Sequence, residues 1–285
     1  MKKKILALVL AAVMVLSLAA CASSTPSTST PAASDAAAST DTAASDAAET
    51  PAADAETPAA DGKTYTVGVC QLVQHDALDA ATQGFCDALT EALGDAVTID
   101  VQNASGDSVN CGTIVNGFVS KNVDLIMANA TPALTAAASA TADIPILGTS
   151  ITAYGVALDI ADFDGTVGGN ISGTSDLADL SAQAQMILDW FPDATKVGLL
   201  FCSAEPNSRY QIEEVAKYLA DKGVETEEFA FTDTNDVASV TQSAADYADV
   251  VYIPTDNTAA ANTEAIGNIL IPAGVPAVVG EEGIC

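Results

Sequence analysis

Basic residues are scarce in this chain of 285 residues: 9 Lys and Arg stand against 38 Asp and Glu, for a formal charge of −29. Lys2, Lys3 and Lys4 supply three of those bases, so the remainder is more acidic still. Such a surface repels a phosphate backbone and excludes nucleic-acid binding. One histidine and six cysteines without Cys-x-x-Cys spacing leave little for a metal site or a disulfide framework. No Gly-x-Gly-x-x-Gly follows a strand pattern, and neither a P-loop nor a Gly-x-Ser-x-Gly elbow occurs anywhere. Dinucleotide, nucleotide and hydrolase chemistry fail on those absences, so no cofactor and no enzyme activity is expected. Aromatic residues make up 5% and apolar residues 49%, with alanine a large part of the latter.

What is present begins with an address. Lys2–Lys4 form a basic start, residues 5–16 an apolar run, and Leu18-Ala19-Ala20-Cys21 a small-residue end. The run is too short to span a bilayer comfortably and reads as a signal peptide over residues 1–20. The Leu-Ala-Ala-Cys ending resembles a bacterial lipoprotein signal, which implies lipidation of Cys21; the alternative is an ordinary secretory signal. Residues 22–62 carry seven acids, no base, and no Val, Ile, Leu or aromatic residue. Nothing there offsets the entropy of ordering, so residues 21–62 are expected to be a disordered acidic linker, possible glycosylation of its hydroxyls left open.

From Tyr65 short apolar runs alternate with amphipathic segments. Strands are expected at 66–73, 97–102, 125–128 and 144–147. Helices are expected at 77–93, 108–121 and 131–140, the last opened by Thr131-Pro132. The order then repeats: strands at 196–202, 226–231, 250–253 and 277–279, with helices at 177–191, 207–222, 236–247 and 258–271. Short buried strands alternating with helices predict α/β structure, two similar doubly wound parallel-sheet lobes with a cleft between them. Lobe 1 is placed at 63–168, and the hinge with lobe 2 at 169–285. The glycine-rich stretch from Gly165 to Leu177 is either a hinge or a plain loop.

Ligands of open parallel sheets gather beyond the carboxyl ends of the strands, where helix N-termini present free N–H groups. The residues falling there are polar: Gln74, Thr131, Thr149 and Ser150 in lobe 1, and Glu205, Asn207, Ser208, Asp256, Asn257 and Glu281 in lobe 2. Asp176 caps a helix or faces the cleft. Neutral donors on one side and carboxylates on the other suit a zwitterion, with Thr131, Thr149 and Ser150 on its carboxylate and Asp256 on its ammonium. Thr131, Asn207 and Thr258 also read as plain helix caps. His75 reads as a surface or loop-capping residue, and Cys70, Cys86, Cys111 and Cys202 as buried small hydrophobes.

Several of these segments together resemble one family. Val67 to Ala81 (VGVCQLVQHDALDAA), Asp124 to Ala133 (DLIMANATPA), Ile146 to Ser150 (ILGTS) and Asn170 to Asp176 (NISGTSD) are similar to ABC-transporter substrate-binding lipoproteins of the tryptophan/tyrosine-binding type. Ser203 to Ser208 (SAEPNS) and Ile253 to Asn257 (IPTDN) continue the likeness. The resemblance implies a type I periplasmic-binding-protein fold and extracytoplasmic capture of a small solute, an aromatic amino acid in the first instance. It also implies membrane attachment through the lipid anchor, and delivery to an ABC permease with its ATPase. The same fold also serves membrane-tethered sensors that feed a signalling partner. Members of the family run on past the point where this chain stops, so it is expected to be a fragment with C-terminal elements of the fold missing.

Overall fold

The computed structural model describes residues 62–285; the expected signal peptide, Cys21 and all but the last linker residue lie outside the described residues. Five strands, β1 (Tyr65–Gln71), β2 (Val97–Asn103), β3 (Leu125–Asn129), β4 (Ile146–Ile151) and β5 (Ile171–Ser175), form a sheet in the order β2-β1-β3-β4-β5. Four more, β6 (Lys196–Cys202), β7 (Glu225–Phe231), β8 (Val250–Ile253) and β9 (Ala277–Val279), form a second sheet in the order β7-β6-β8-β9. Every pairing is parallel. The first lobe carries helices α1 (Asp76–Leu93), α2 (Ser108–Lys121), α3 (Thr131–Ala140) and the single turn α4 (Tyr154–Ala157). The second carries α5 (Leu180–Trp190), α6 (Pro206–Asp221), α7 (Val237–Tyr247), α8 (Asn257–Ala260) and α9 (Thr263–Ala273).

The period-two alternation of strand side chains is visible in how the second lobe packs. Leu200, Cys202, Phe229, Phe231, Val251 and Ile253 point to one face, where they meet Val237 and Ala244 of α7 and Ile266 and Leu270 of α9. Val197, Leu199, Phe201, Val250 and Tyr252 point to the other, against Ala184 and Ile187 of α5 and Ile212, Val215 and Leu219 of α6. A sheet covered on both faces needs strands apolar throughout, and β8 is buried at all four positions. In the first lobe, Phe118 of α2 and Leu134 of α3 share one core with Cys70, Ile126 and Ile146 of the sheet. Among the described residues no helix is long and apolar enough to cross a membrane. Their five cysteines are free thiols, and Cys86 is only half-buried where full burial is expected from the sequence.

Two local expectations need correction. Within the glycine-rich stretch read as hinge or loop, residues 171–175 form β5 and extend the first sheet beside β4. Ile-Ser-Gly-Thr-Ser has no apolar run to announce a strand; its edge position, with Ser172 to Ser175 exposed, explains why it needs none. Gly173 is obligatory there. Its φ is +151°, and a Cβ would collide with the Gly148 carbonyl oxygen and the Tyr154 hydroxyl. Gly173→Ala is expected to cost about 2 kcal/mol, because backbone on one side cannot yield. A urea midpoint equal to that of the unaltered protein would overturn this. The other correction is a break in the helix expected over 258–271. Asn262 Nδ2 donates to the Thr258 carbonyl at 2.7 Å, closing α8, and α9 starts afresh at Thr263.

Candidate functional site

The carboxyl ends of both sheets carry the loops singled out above. In the first lobe α3 opens directly after β3, with Ala130 held at φ +90° and Pro132 in the first turn, where a missing N–H costs nothing. Thr131 is 1% exposed, and its hydroxyl has no hydrogen-bond partner among the described residues. A buried hydroxyl at a helix N-terminus, beside free N–H groups, suits an anionic group. On β4 the pairing to β5 slips by one residue between Gly148 and Ile151. Thr149 and Ser150 thus lie within β4 and not beyond it: Thr149 pairs with Asn129 of β3, and the bulge leaves both residues without a partner on β5, Ser150 at φ +56°, with Thr174 Oγ1 3.4 Å from Thr149 Oγ1. Both are half-buried, whereas Gln74 in the β1–α1 loop is exposed.

The second lobe is organised around Glu205, which is 2% exposed. Its Oε1 accepts from the Thr258 N–H at 2.9 Å and the Thr258 hydroxyl at 2.8 Å. Its Oε2 accepts from Asn257 Nδ2 at 2.6 Å, the Asn257 N–H at 3.2 Å and Asn207 Nδ2 at 3.3 Å. The carboxylate thus binds the N-terminus of α8, although it stands in sequence before α6. Asp256 is wholly buried. One of its oxygens accepts from the Cys202 N–H at 2.6 Å and the other caps α8 through the Ala259 N–H at 2.8 Å. Burial, then the charge of Glu205, push the Asp256 carboxyl up to about 7. Burial together with both carboxylates pushes the Cys202 thiol up to about 12. Ser208 is buried beside Asp256 and Asn207, whose Oδ1 lacks a partner among the described residues.

This geometry corrects the sequence expectation for two residues. Asp256 and Glu205 point into their own lobe with both oxygens committed to hydrogen bonds, so neither presents a free carboxylate to the cleft. The carboxylates that remain are Asp176 and Glu281. Asp176 is accessible to solvent yet crowded by protein, and that desolvation raises its carboxyl above the ordinary range. Glu281 is half-buried; burial raises it, His75 draws it back, and Asp176 and Glu205 raise it further. His75, Asp176 and Glu205 therefore each lie within electrostatic reach of Glu281. His75 precedes α1 but makes no capping bond; its Nε2 lies 3.2 Å from Asn257 Oδ1 in the opposite lobe. The sequence missed this contact because the partners are 182 positions apart. Tyr154 was missed as well: its hydroxyl donates to the Gly148 carbonyl at 3.0 Å, and burial and then Asp176 push it up to about 12. A groove of about 440 Å³ runs between the lobes, bounded by Pro132, Thr135 and Ala136 of α3 and by Ala204 and Pro206.

A family profile described as ABC transporter substrate binding protein matches residues 66–280. The chain belongs to that family. Two parallel-sheet lobes of this kind are the type I periplasmic-binding-protein fold expected from the resemblance, a fold and family of solute-binding proteins and not of enzymes. A curated relative, a tyrosine-binding protein of Clostridioides difficile (strain R20291), is 33% identical over 224 residues. The match takes in 78% of this chain but only 65% of that protein's length. Among solved structures, an ABC domain in complex with L-Trp from Streptococcus pneumonia is 31% identical with a TM-score of 0.73, covering 78% of this chain and 76% of that one. The ligand-free, open structure of a substrate binding protein with adhesive properties from Clostridium difficile is 33% identical over the same shares, with a TM-score of 0.52.

Proposed function

We propose that this protein is the extracytoplasmic solute receptor of an ABC importer, capturing an aromatic amino acid between its lobes and presenting it to a permease and its ATPase. In this reading residues 1–20 are a signal peptide, Cys21 carries the lipid anchor, and 21–62 is a spacer. Residues 63–168 make the first lobe and 169–285 the connection and the second lobe, with β5 contributed back to the first sheet.

The observation that carries the proposal is the pair of structural likenesses. At nearly equal identity and coverage, the chain superposes far better on the L-Trp complex than on the open, ligand-free relative. Rigid lobes at a different mutual angle lower a global score without any change inside either lobe, so this difference supports a closed arrangement of the clamp. The site chemistry agrees with a zwitterion. The α3 N-terminus with Thr131, Thr149 and Ser150 would take the carboxylate through charge-assisted hydrogen bonds. Asp176 and Glu281, desolvated and beside one another, would gain from an ammonium group that relieves their mutual repulsion. Gln74 sits at the rim, while Asn207, Ser208, Asn257, Glu205 and Asp256 hold the rim's shape. Capture needs no bond chemistry, only a ligand that binds the closed state better than the open one.

A thermal-shift series of the twenty amino acids tests this. L-Trp or L-Tyr at about 100 times its dissociation constant is expected to stabilise by about 2.7 kcal/mol, a rise of about 5–10 °C in melting temperature. Glu281→Gln should remove most of that shift and leave the unliganded melting temperature nearly in place. A flat response to all twenty would overturn the amino-acid assignment, and an undiminished shift in Glu281→Gln would overturn the ammonium site.

A further inference from the structure

We propose that His75 and Asn257 form a latch that holds the two lobes closed, with its polarity set by Glu205. The proposal deepens the clamp reading above and rests on it. Among the described residues, the His75 Nε2 to Asn257 Oδ1 contact of 3.2 Å is the only hydrogen bond that joins the lobes. Elsewhere the lobes approach through α6 against α3 and α4 without hydrogen bonding.

The direction of the bond follows from the groups behind it. An ionised carboxylate only accepts, so Glu205 Oε2, 2.6 Å from the Asn257 side chain, fixes the amide nitrogen on its own side. The same oxygen takes the Asn257 N–H, which locks the residue at the first turn of α8. Asn257 is 8% exposed. Its amide oxygen is thereby left facing the first lobe as an acceptor, and His75 must offer a proton on Nε2. Both the Nε2–H tautomer and the imidazolium do so. Glu281 lies within electrostatic reach of the same imidazole from the second lobe. His75 itself is spared any capping duty, since α1 receives no side-chain bond from it.

A latch differs from a ligand contact in what it controls. Opening the clamp exposes both partners to water, so the closed-to-open ratio changes by about the worth of one polarised hydrogen bond, roughly five- to tenfold. Entry of the solute requires the open form, so the latch slows association only by the minority of free protein that it holds closed, while it lengthens residence in full. The effect should therefore fall on dissociation.

Stopped-flow measurement on the full chain with L-Trp as probe separates these cases. His75→Ala is expected to speed dissociation about five- to tenfold, with association within twofold and the melting temperature of the free protein unchanged. His75→Gln, which keeps a donor, should recover most of the residence time. The double variant His75→Ala with Asn257→Ala should dissociate no faster than Asn257→Ala alone, because each removes the same bond. Unchanged dissociation in His75→Ala, or additive losses in the double variant, would overturn the latch. Should the unaltered protein bind no L-Trp at all, the amino-acid reading falls, and the latch is judged by scattering from the unliganded chain. A larger radius for His75→Ala than for the unaltered protein upholds it, and identical radii overturn it.

Discussion

Replacing Glu205 with alanine is expected to cost about 3–5 kcal/mol of folding free energy, the range for breaking a buried charged network by deleting one partner. The substitution strands the N–H groups of Asn257 and Thr258, both buried and both directed at the missing carboxylate. Each buried donor without an acceptor costs about 1–3 kcal/mol. Losing the repulsion between Glu205 and Asp256 offsets part of this, but Asp256 answers that repulsion by holding its proton more tightly, so the relief is the smaller effect. Glu205→Gln keeps one acceptor oxygen and turns an amide nitrogen toward other donors. Its expected loss is intermediate, about 2 kcal/mol. Urea unfolding of the three proteins at one pH orders them. A Glu205→Ala midpoint within about 1 kcal/mol of the parent would mean that α8 finds other acceptors, and Glu205 would cease to be the centre of the rim.

That role was invisible in the sequence for a physical reason. Spacing shows that Glu205 and Asp256 follow β6 and β8, and hence that both stand at the carboxyl ends of neighbouring strands. It does not show which way a carboxylate turns. The choice between the cleft and the lobe interior is made by the Cys202 N–H and the first turn of α8, which meet Asp256 and Glu205 only once β6 and β8 pair. The lobes themselves were legible because each β–α unit is a local pattern: β6, β8 and β9 have the bounds expected from their apolar runs. β5 was not legible, since Ser172 to Ser175 are exposed at a sheet edge and leave no apolar trace. His75 shows the same limit at longer range. A lone imidazole before a helix has the sequence context of a cap, and only the approach of the lobes gives it Asn257.

The buried Asp256 also sets how stability should respond to pH. Its carboxyl lies near 7 in the folded protein against an ordinary value of 3.8 in the unfolded chain, so between those values the folded state binds more protons. Stability contributed this way is fully present below the unfolded value and is lost as pH rises toward the folded one. Each extra proton bound gives a slope of up to about 1.4 kcal/mol per pH unit. Asp176 and Glu281, raised in the same direction, steepen it. The opposing groups act lower on the scale. Asp100, held down by its hydrogen bond from Lys121, Asp179, held down by Ser181, and Asp249, held down by the Thr195 N–H, lose their contributions only as pH falls below the ordinary carboxylate range. Chemical unfolding in a pH series is therefore expected to show stability climbing as pH drops from about 7.5 to about 5, and declining below about 4. Asp256→Asn, which cannot ionise, should lose one proton's worth of that slope. The variant's deficit against the parent should accordingly be smaller at pH 7 than at pH 5. Parallel curves for parent and variant would place the linked proton elsewhere, and Asp256 would then be a helix cap that stays ionised across the whole range.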